Sequence, residues 1–356
     1  MNYGRHFVAV TGLVAVLSVA VYVLLRAIYQ LPPAASAEAV GIDALFEAHF
    51  VLISFLFSLV VGFMLYSFVV FRRRPGDDSD GHHFHGHTGL EIVWTIIPLG
   101  LVIFFGVWGA QLLGDITEPK AEEMPVRVVG RQWSWFFEYP ELDDLRSNEL
   151  VLPVDRPIHL LMESEDVIHS FWVPEFRVKQ DLLPNQVRDL RFTPSEIGEY
   201  RLRCAEMCGA QHANMLATVR VVSDADFETW SEEQSAGADV VEMTPEERGE
   251  IWYTQFGCNS CHSLDGTQVV GPSWQNLYGA ERELESGETV VADEEYLRVA
   301  ILDPHAELVE GFTAVMPDNF EEQFAQEEEQ YAGEVDILQD LIAFIRAQSD
   351  ESPGGE

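Results

Sequence analysis

The chain has 356 residues, enough for two or three domains, and 47% of them are hydrophobic. It contains 59 acidic and 21 basic residues, which gives a formal net charge of −38. This balance argues against nucleic-acid binding, which needs a basic face. Two explanations of the acidity stay open: a saline habitat, where salt screens self-repulsion, or an acidic docking surface for a basic partner.

Three apolar runs come first along the chain, at residues 7–25, 46–71 and 91–113. The second and third are each long enough to cross a bilayer as a helix. Three arginines at 72–74 directly follow the second run, so that end should face the cytoplasm. We therefore expect a transmembrane hairpin within residues 38–115 that leaves the rest of the chain on the external face.

Residues 1–37 are either an N-terminal membrane segment or a signal peptide. Ala35, Ser36 and Ala37 fit a signal-peptidase site, and Arg5 fits a basic start. The apolar run is long for a signal peptide, however, so cleavage stays open. Downstream topology is the same in both cases.

Four histidines lie in the loop that follows the second apolar run: His82, His83, His85 and His87. Imidazoles this close together bind metal adventitiously, but such a run is more often a solvated loop. We expect the solvated loop.

From residue 125 to residue 223 the sequence becomes strand-like. Short β-branched and aromatic runs alternate with Pro and Gly, as in residues 126–130, 133–139 and 157–162. Many short strands separated by such breaks predict a β-sandwich or barrel.

A concentrated set of soft metal ligands lies within this region. His169 comes first, and a later segment contains Cys204, Cys208, His212 and Met215. Copper prefers thiolate with imidazole, and two cysteines allow both sulfurs to bridge two metals. Structural zinc is the alternative, since two Cys and two His also suit tetrahedral zinc, but Met is a poor zinc ligand. The pattern favours a binuclear copper centre.

The segments around these ligands resemble subunit II of haem–copper cytochrome c oxidases. One reads Ser-Glu-Asp-Val-Ile-His-Ser-Phe-Trp-Val-Pro-Glu from residue 164, and the other reads Arg-Cys-Ala-Glu-Met-Cys-Gly-Ala-Gln-His-Ala-Asn-Met from residue 203. The resemblance covers residues 46–223 and implies a cupredoxin-like Greek-key β-sandwich with a binuclear CuA centre at one end. It implies six CuA ligands, namely His169, Cys204, Glu206 through its main-chain carbonyl, Cys208, His212 and Met215.

The same resemblance implies roles for further residues. The carboxylate of Glu206 would reach a magnesium ion shared with subunit I. Trp133 would receive electrons from a donor, although sheet packing is the alternative, and the family commonly has an aromatic where this chain has Ser134. Glu91, three residues before Trp94, would mark a proton-pathway entrance; a carboxylate stabilised by the helix dipole is the alternative.

Residues 224–243 are acidic and rich in Ser, Ala and Gly, which is typical of a mobile linker. Beyond them, Cys258, Cys261 and His262 form a C-x-x-C-H motif, the attachment signature of a c-type haem, with His262 on the iron. A thioredoxin-like redox pair is the alternative, weakened by the lack of a βαβ pattern around the motif. Every cysteine of the chain thus falls in a metal or haem motif, and none remains for a disulfide.

An electron-transfer haem needs a second axial ligand, usually Met or His. Downstream of the haem motif the sequence has one methionine, Met316, and one further histidine, His305. Met316 lies in a segment that looks like the distal loop of small bacterial cytochromes c. We expect Met316 as the ligand, an all-α class I cytochrome c domain over residues 244–349, and a disordered tail at 350–356.

The resemblance implies subunit II of a proton-pumping, caa-type cytochrome c oxidase in the inner membrane of a bacterial or archaeal cell. Electrons would pass from haem c to CuA and on to the haem centres of subunit I, which reduces oxygen to water. The expected partners are subunit I, other oxidase subunits, membrane lipid and an external donor: a cytochrome c, a cupredoxin or a quinol–cytochrome c reductase-type complex. The alternatives are the input subunit of a CuA-type nitric oxide reductase and a tethered electron-transfer protein.

Overall fold

The computed structural model describes residues 3–73, 75–76, 84–236, 240–331 and 333–349. The chain divides into two compact units, Met1–Lys120 with Glu175–Arg177, and Ala121–Pro174 with Val178–Glu356. Several expectations fall outside the described residues, namely those for Arg74, for His82 and His83, and for the tail at 350–356.

The first unit consists of three helices, α1 (Tyr3–Ile28), α2 (Ala37–Val70) and α3 (Thr88–Thr117). All three are long and apolar enough to cross a membrane. The second and third extend beyond the predicted 46–71 and 91–113, because capping side chains fix earlier starts. Ser36 Oγ accepts the N–H of Ala39 and His87 Nδ1 accepts the N–H of Leu90.

Helix α1 packs along α2 through small and polar side chains. Gly62 of α2 lies against Val14 of α1, so closely that an added Cβ would be 2.9 Å from Val14 Cγ2. His6 Nδ1 and Tyr66 Oη are 2.8 Å apart across the same helix pair. Close approach at small residues, together with interhelical hydrogen bonds, is the usual basis of helix association in membranes.

The second unit begins with two five-stranded sheets, which confirms the predicted β-sandwich. The strand order is β3-β2-β1-β5-β8 in one sheet and β4-β10-β9-β6-β7 in the other. Buried and half-exposed residues alternate along the strands, as expected when one face of each sheet packs on the core. The strands are β1 (Met124–Arg131), β2 (Ser134–Tyr139), β3 (Leu145–Ser147), β4 (Leu150–Pro153), β5 (Ile158–Ser164), β6 (His169–Trp172), β7 (Lys179–Leu182), β8 (Arg188–Phe192), β9 (Gly198–Cys204) and β10 (Leu216–Val222).

A helix, α4 (Asp224–Ala236), occupies most of the segment expected to be a mobile linker. Phe227 and Trp230, three residues apart on this helix, are 6% and 7% exposed. Their rings lie 6.3 and 5.1 Å from that of Tyr139 on the sandwich. The prediction of a mobile linker was therefore wrong for this helix. Two aromatic residues within the acidic segment pack against the sandwich and hold the helix there.

The chain then forms a C-terminal helical domain with a core of its own. A short antiparallel ribbon of two strands adds to the predicted all-helical arrangement. The elements are α5 (Pro245–Gln255), β11 (Glu281–Glu283), β12 (Thr289–Val291), α6 (Glu294–Leu302), α7 (Phe320–Glu328) and α8 (Ile337–Ala347).

Helices α5 and α8 cross in direct backbone contact at Gly249. A Cβ added there would lie 2.2 Å from the carbonyl oxygen of Asp340 and 2.5 Å from Phe344 Cβ. Beside this crossing, the buried carboxylate of Asp340 accepts two hydrogen bonds from Arg248, both 2.7 Å, and one from Trp252 Nε1. The crossing is thus fixed by a glycine-sized gap and a satisfied buried ion pair.

We predict that Gly249→Ala destabilises the C-terminal helical domain by about 1–3 kcal/mol, because the added methyl has no room at the crossing. At a helical glycine with free space around it, substitution by alanine would instead stabilise the protein. The urea midpoint of the detergent-solubilised chain measures the effect. The control is Glu250→Ala at the next, exposed position, which should change stability by less than about 0.5 kcal/mol. A Gly249→Ala variant as stable as the control would contradict the packing argument.

Candidate metal centre

The sandwich brings the predicted metal ligands to one end of its second sheet. Strands β6 and β9 are hydrogen-bonded neighbours with Phe171 opposite Cys204, so His169 at the start of β6 lies near the end of β9. The loop between β9 and β10 contains Cys208, His212 and Met215. Sheet pairing therefore places His169 beside a loop that follows it by more than thirty residues in the sequence.

The two thiols and two imidazoles form a chain of close contacts. The sulfurs of Cys204 and Cys208 are 3.7 Å apart. His169 Nδ1 lies 3.9 Å from the first sulfur and His212 Nδ1 lies 3.5 Å from the second. Each imidazole thus faces a different sulfur, as the prediction of two bridged metals requires.

The two weaker donors lie at the same place. Met215 Sδ is 3.7 Å from Cys208 Sγ, and the carbonyl oxygen of Glu206 is 3.2 Å from Cys204 Sγ. Met215 is fully buried. The structure therefore brings together the donor atoms of all six residues predicted as ligands.

The chemistry of this donor set fits a cation. Both cysteines are buried, and the hydrogen bond between their sulfurs lowers the pKa of Cys204 and raises that of Cys208. A second thiolate beside the first requires positive charge between the sulfurs, which a bound metal supplies. The soft sulfur donors and the two imidazoles suit copper.

Asp166 orients His169, a role that the sequence analysis did not assign. Its carboxylate lies 2.8 Å from His169 Nε2 and leaves Nδ1 directed at Cys204. Burial lowers the pKa of His169, but the hydrogen bonds and charges of Asp166 and Cys204 together outweigh burial and raise it. Carboxylates on the outer nitrogen of ligand histidines are a recurrent feature of metal sites. The only sequence signal was position, three residues before the histidine.

The carbonyl of Cys208 is covered by the turn between β1 and β2. Gln132 Nε2 donates to this oxygen at 2.7 Å and Trp133 Nε1 donates at 3.2 Å. Gly209 has φ of +121°, and a Cβ there would lie 2.8 Å from Gln132 Nε2. A glycine is therefore required where the ligand loop meets this turn.

The carboxylate of Glu206 lies outside the sulfur cluster. It is 43% exposed and its Oε1 is 3.7 Å from Lys179 Nζ. The same lysine is 3.9 Å from Asp181, which accepts a hydrogen bond from Ser170. The carboxylates of Glu206 and Asp181 thus both lie near the ammonium group of Lys179 at this edge of the sandwich.

A second set of predicted residues lines one cavity in the C-terminal helical domain. The cavity is bordered by Cys258, Cys261, His262 and Met316, and also by Trp133 of the sandwich. The structure therefore brings the C-x-x-C-H motif and Met316 together, as predicted.

The imidazole of His262 is held in one orientation. Its Nδ1 donates to the carbonyl of Pro272 at 2.8 Å, so Nε2 carries the free lone pair. Burial lowers the pKa of His262 and favours the neutral ring. Gly271 makes room for it, since a Cβ there would be 2.5 Å from His262 Cε1. His305 is exposed instead, and its Nε2 is 3.1 Å from the carbonyl of Met316.

Glu91 lies in the first turn of α3. Its carboxylate accepts the N–H of His87 at 3.3 Å. This position agrees with both interpretations, a stabilised helix start and a proton-pathway entrance.

Fold and site together define a membrane-anchored β-sandwich protein with a sulfur-rich metal centre. Residues 145–222 match the family model described as cytochrome c oxidase subunit II, periplasmic domain, and residues 23–112 match that of the subunit II transmembrane domain. The chain belongs to the cytochrome c oxidase subunit II family.

Curated relatives agree with this assignment. Cytochrome c oxidase subunit 2 of Synechocystis sp. is 33% identical over 56% of this chain and 74% of that protein. Subunit 2 of Alkalihalophilus pseudofirmus is 30% identical over 83% of this chain and 84% of that protein. A crystal structure of the periplasmic domain of subunit II of cytochrome oxidase from Bradyrhizobium japonicum is 31% identical over 33% of this chain and 97% of that one, with a TM-score of 0.32.

The chain is accordingly an oxidoreductase subunit of a haem–copper oxidase, with its C-terminal part on the external face of a membrane. The family implies a CuA copper centre, and the grouping of His169, Cys204 and Cys208 is consistent with it.

We predict that Asp166→Asn weakens copper binding about 10- to 100-fold, because the neutral amide no longer holds His169 with Nδ1 towards the sulfurs. Copper retention of the purified full chain against a chelator, followed by EPR, measures this loss. The control is Asp189→Asn, which breaks a similar contact with His159 away from the cluster. Equal copper retention by the two variants would show that Asp166 has no role in the metal centre.

Proposed function

We propose that this chain is the electron-input subunit of a proton-pumping, caa-type cytochrome c oxidase. It receives electrons at a haem c attached to the C-terminal helical domain and delivers them through CuA to the haem centres of subunit I. The observation that carries this proposal is the single cavity bordered by the C-x-x-C-H motif, Met316 and Trp133. The indole N–H of Trp133 donates to the carbonyl of Cys208 within the sulfur cluster.

The residues around the cavity fit a haem c. Cys258 and Cys261 offer two free thiols for covalent attachment, and His262 Nε2 offers a lone pair for the iron. Met316 borders the same cavity and is the second axial ligand in this proposal. Bound haem supplies a one-electron iron couple, while the apolar lining from Trp274, Leu297 and similar residues excludes water. Residues 244–349 then form the cytochrome c domain.

The sandwich fits a CuA centre for a separate reason. Residues 125–223 supply the six donors to two copper ions, which together provide a one-electron couple when bound. Both centres then lie in one chain, with Trp133 between them. The magnesium at Glu206, shared with subunit I, and the proton-pathway role of Glu91 belong to the same proposal and depend on the partner chain.

The relative from Alkalihalophilus pseudofirmus supports the fusion. Its alignment covers 83% of this chain. The membrane helices and the sandwich together, residues 1–222, make up less than two thirds of the chain, so the aligned region extends into the C-terminal helical domain. Family membership favours the oxidase over a nitric oxide reductase subunit or a tethered electron-transfer protein. The external donor is a cytochrome c, a cupredoxin or a quinol–cytochrome c reductase-type complex.

The test is purification of the full chain with its membrane partners, followed by optical and EPR spectroscopy. We expect covalently bound haem c, a mixed-valence signal shared by two coppers, and a haem-containing partner subunit that consumes oxygen. A zinc-filled cluster or a chain without covalent haem would contradict the proposed pair of centres. A partner with non-haem iron would point to the reductase instead.

We predict that Met316→Leu converts the haem c from low spin to high spin, because leucine removes the sulfur ligand at similar volume. The optical spectrum of the purified full chain detects the change. His305→Leu is the control and should leave the haem low-spin, since His305 does not border the cavity in the described structure. The reverse pattern would make His305 the ligand.

A further inference from the structure

We propose that one face of α2 is built to hold this chain's own first helix, so that residues 1–37 are retained as a third membrane-spanning segment and are not removed by cleavage after Ala37. The sequence alone leaves cleavage open, because this segment also has features of a signal peptide. This role of α2 is independent of haem c and of the metal centre.

The first observation is a polar contact between the two apolar helices. Glu47 lies ten residues inside α2, and its carboxylate accepts a hydrogen bond from the hydroxyl of Tyr22 on α1. The same carboxylate lies 3.4 Å from Arg26 Nε, in the last turn of α1. A carboxylate within a membrane-spanning helix is costly unless it is paired. Removal of α1 would take both of these partners away from Glu47, so α2 carries an acidic residue that suits the retained helix.

The second observation is a row of small side chains on α2. Ser54, Ser58 and Gly62 follow one another at intervals of four residues, which places them on one face of the helix. Both serines are 1% exposed. At Gly62 the backbone lies against Val14 of α1, which is itself buried. Small residues at this spacing let two helices approach closely in a bilayer. The face of α2 that lacks bulky side chains is therefore a face that α1 covers.

The contact continues to the opposite end of the helix pair. His6 of α1 shares a hydrogen bond with Tyr66 of α2, and the His6 ring lies 5.4 Å from that of Phe71. From Glu47 to Tyr66 the contacts extend over about 28 Å of α2 at 1.5 Å per residue. This length is close to the thickness of the hydrocarbon core of a bilayer. Helix α1 thus matches α2 across a whole membrane span.

The link between α1 and α2 is held in place directly before the possible cleavage site. The N–H of Ala35 donates to the carbonyl of Glu175 at 2.9 Å, and Ser36 Oγ donates to that of Phe176 at 2.9 Å. Ser36 is also the N-cap of α2, because its Oγ accepts the N–H of Ala39. Cleavage after Ala37 would remove the cap of α2 and both of these donors.

Arg177 connects the link to the body of α2. Residues 175–177 belong to the same compact unit as the three helices. The Nε and Nη2 atoms of Arg177 contact the two carboxylate oxygens of Asp43 at 2.7 and 3.1 Å, and Nη2 also donates to the carbonyl of Pro32. Such a bidentate pair fixes geometry as well as charge. One side chain thus joins the residues before the cleavage site to the helix after it.

The first experiment is N-terminal sequencing and intact-mass measurement of the full chain purified from its host membrane. We expect a chain that begins at Met1 or Asn2 and therefore includes α1. A mature chain that begins at Glu38, or anywhere beyond Ile28, would overturn the proposal.

The second experiment tests the face of α2. A protease site inserted into the link at residues 29–34 is cut in mild detergent, and we expect α1 to stay bound to the rest of the chain. Gly62→Leu should release α1 after the cut, because leucine occupies the space of Val14. The control is Gly106→Leu on α3, where an added Cβ meets free space, and it should retain α1.

Each outcome of the second experiment decides the packing argument. Release of α1 from the cut but otherwise unmodified chain would show that α2 has no specific face for it. Equal retention of α1 by Gly62→Leu and Gly106→Leu would show that the close contact at Gly62 does not hold the helix. Either result would leave the proposed electron-input function unchanged, since neither measurement involves copper or haem.

Discussion

The carbonyl oxygen of Cys208 links the metal-ligand loop of the sandwich to the turn between β1 and β2. It belongs to the loop that groups the thiols, and it accepts hydrogen bonds from both Gln132 and Trp133 at the turn after β1. A displaced turn would leave this oxygen and the indole N–H without partners in a buried place, which is costly. The position of the metal cluster and the position of the turn between β1 and β2 are therefore set by the same contact.

Each domain keeps a stabilising core that is independent of this contact. In the C-terminal helical domain, Gly249 and the Arg248–Asp340 pair fix the crossing of α5 and α8. In the sandwich, paired strands hold His169 beside Cys204, and Asp166 sets the ring orientation. The support of His169 is joined to the turn between β1 and β2, because Asp166 also accepts the backbone N–H of Gln132 at 2.7 Å.

The motifs selected residues that the fold groups in space, since His169, the two cysteine pairs and Met316 are recognised by residue type and spacing. The haem c and the individual ligand roles stay predictions. The orienting groups were missed for two reasons. Asp166 lies only three residues before His169, but that spacing alone does not distinguish it from an ordinary exposed carboxylate. Arg131 contacts Gln255 and Gln323, which are far from it in the sequence, and no local pattern encodes such contacts. Helix α4 was missed for a different reason: average composition described the segment as a linker, whereas two aromatic residues decide its structure. Helix ends in the membrane part also differed, since caps and not the apolar run determine them.

Charge limits how the two external domains can associate. The chain has a net charge of −38, so long-range attraction cannot bring one acidic part to another. The two domains must then associate through local contacts. The Arg146–Glu327 ion pair is partly exposed, so salt screens it, whereas Arg131 is nearly buried and salt affects its contacts little. The stacked Arg131 and the close fit of Gly257 on Ser134 would persist at high salt. Such a contact is compatible with a saline habitat, the first of the two explanations for the acidity of the chain.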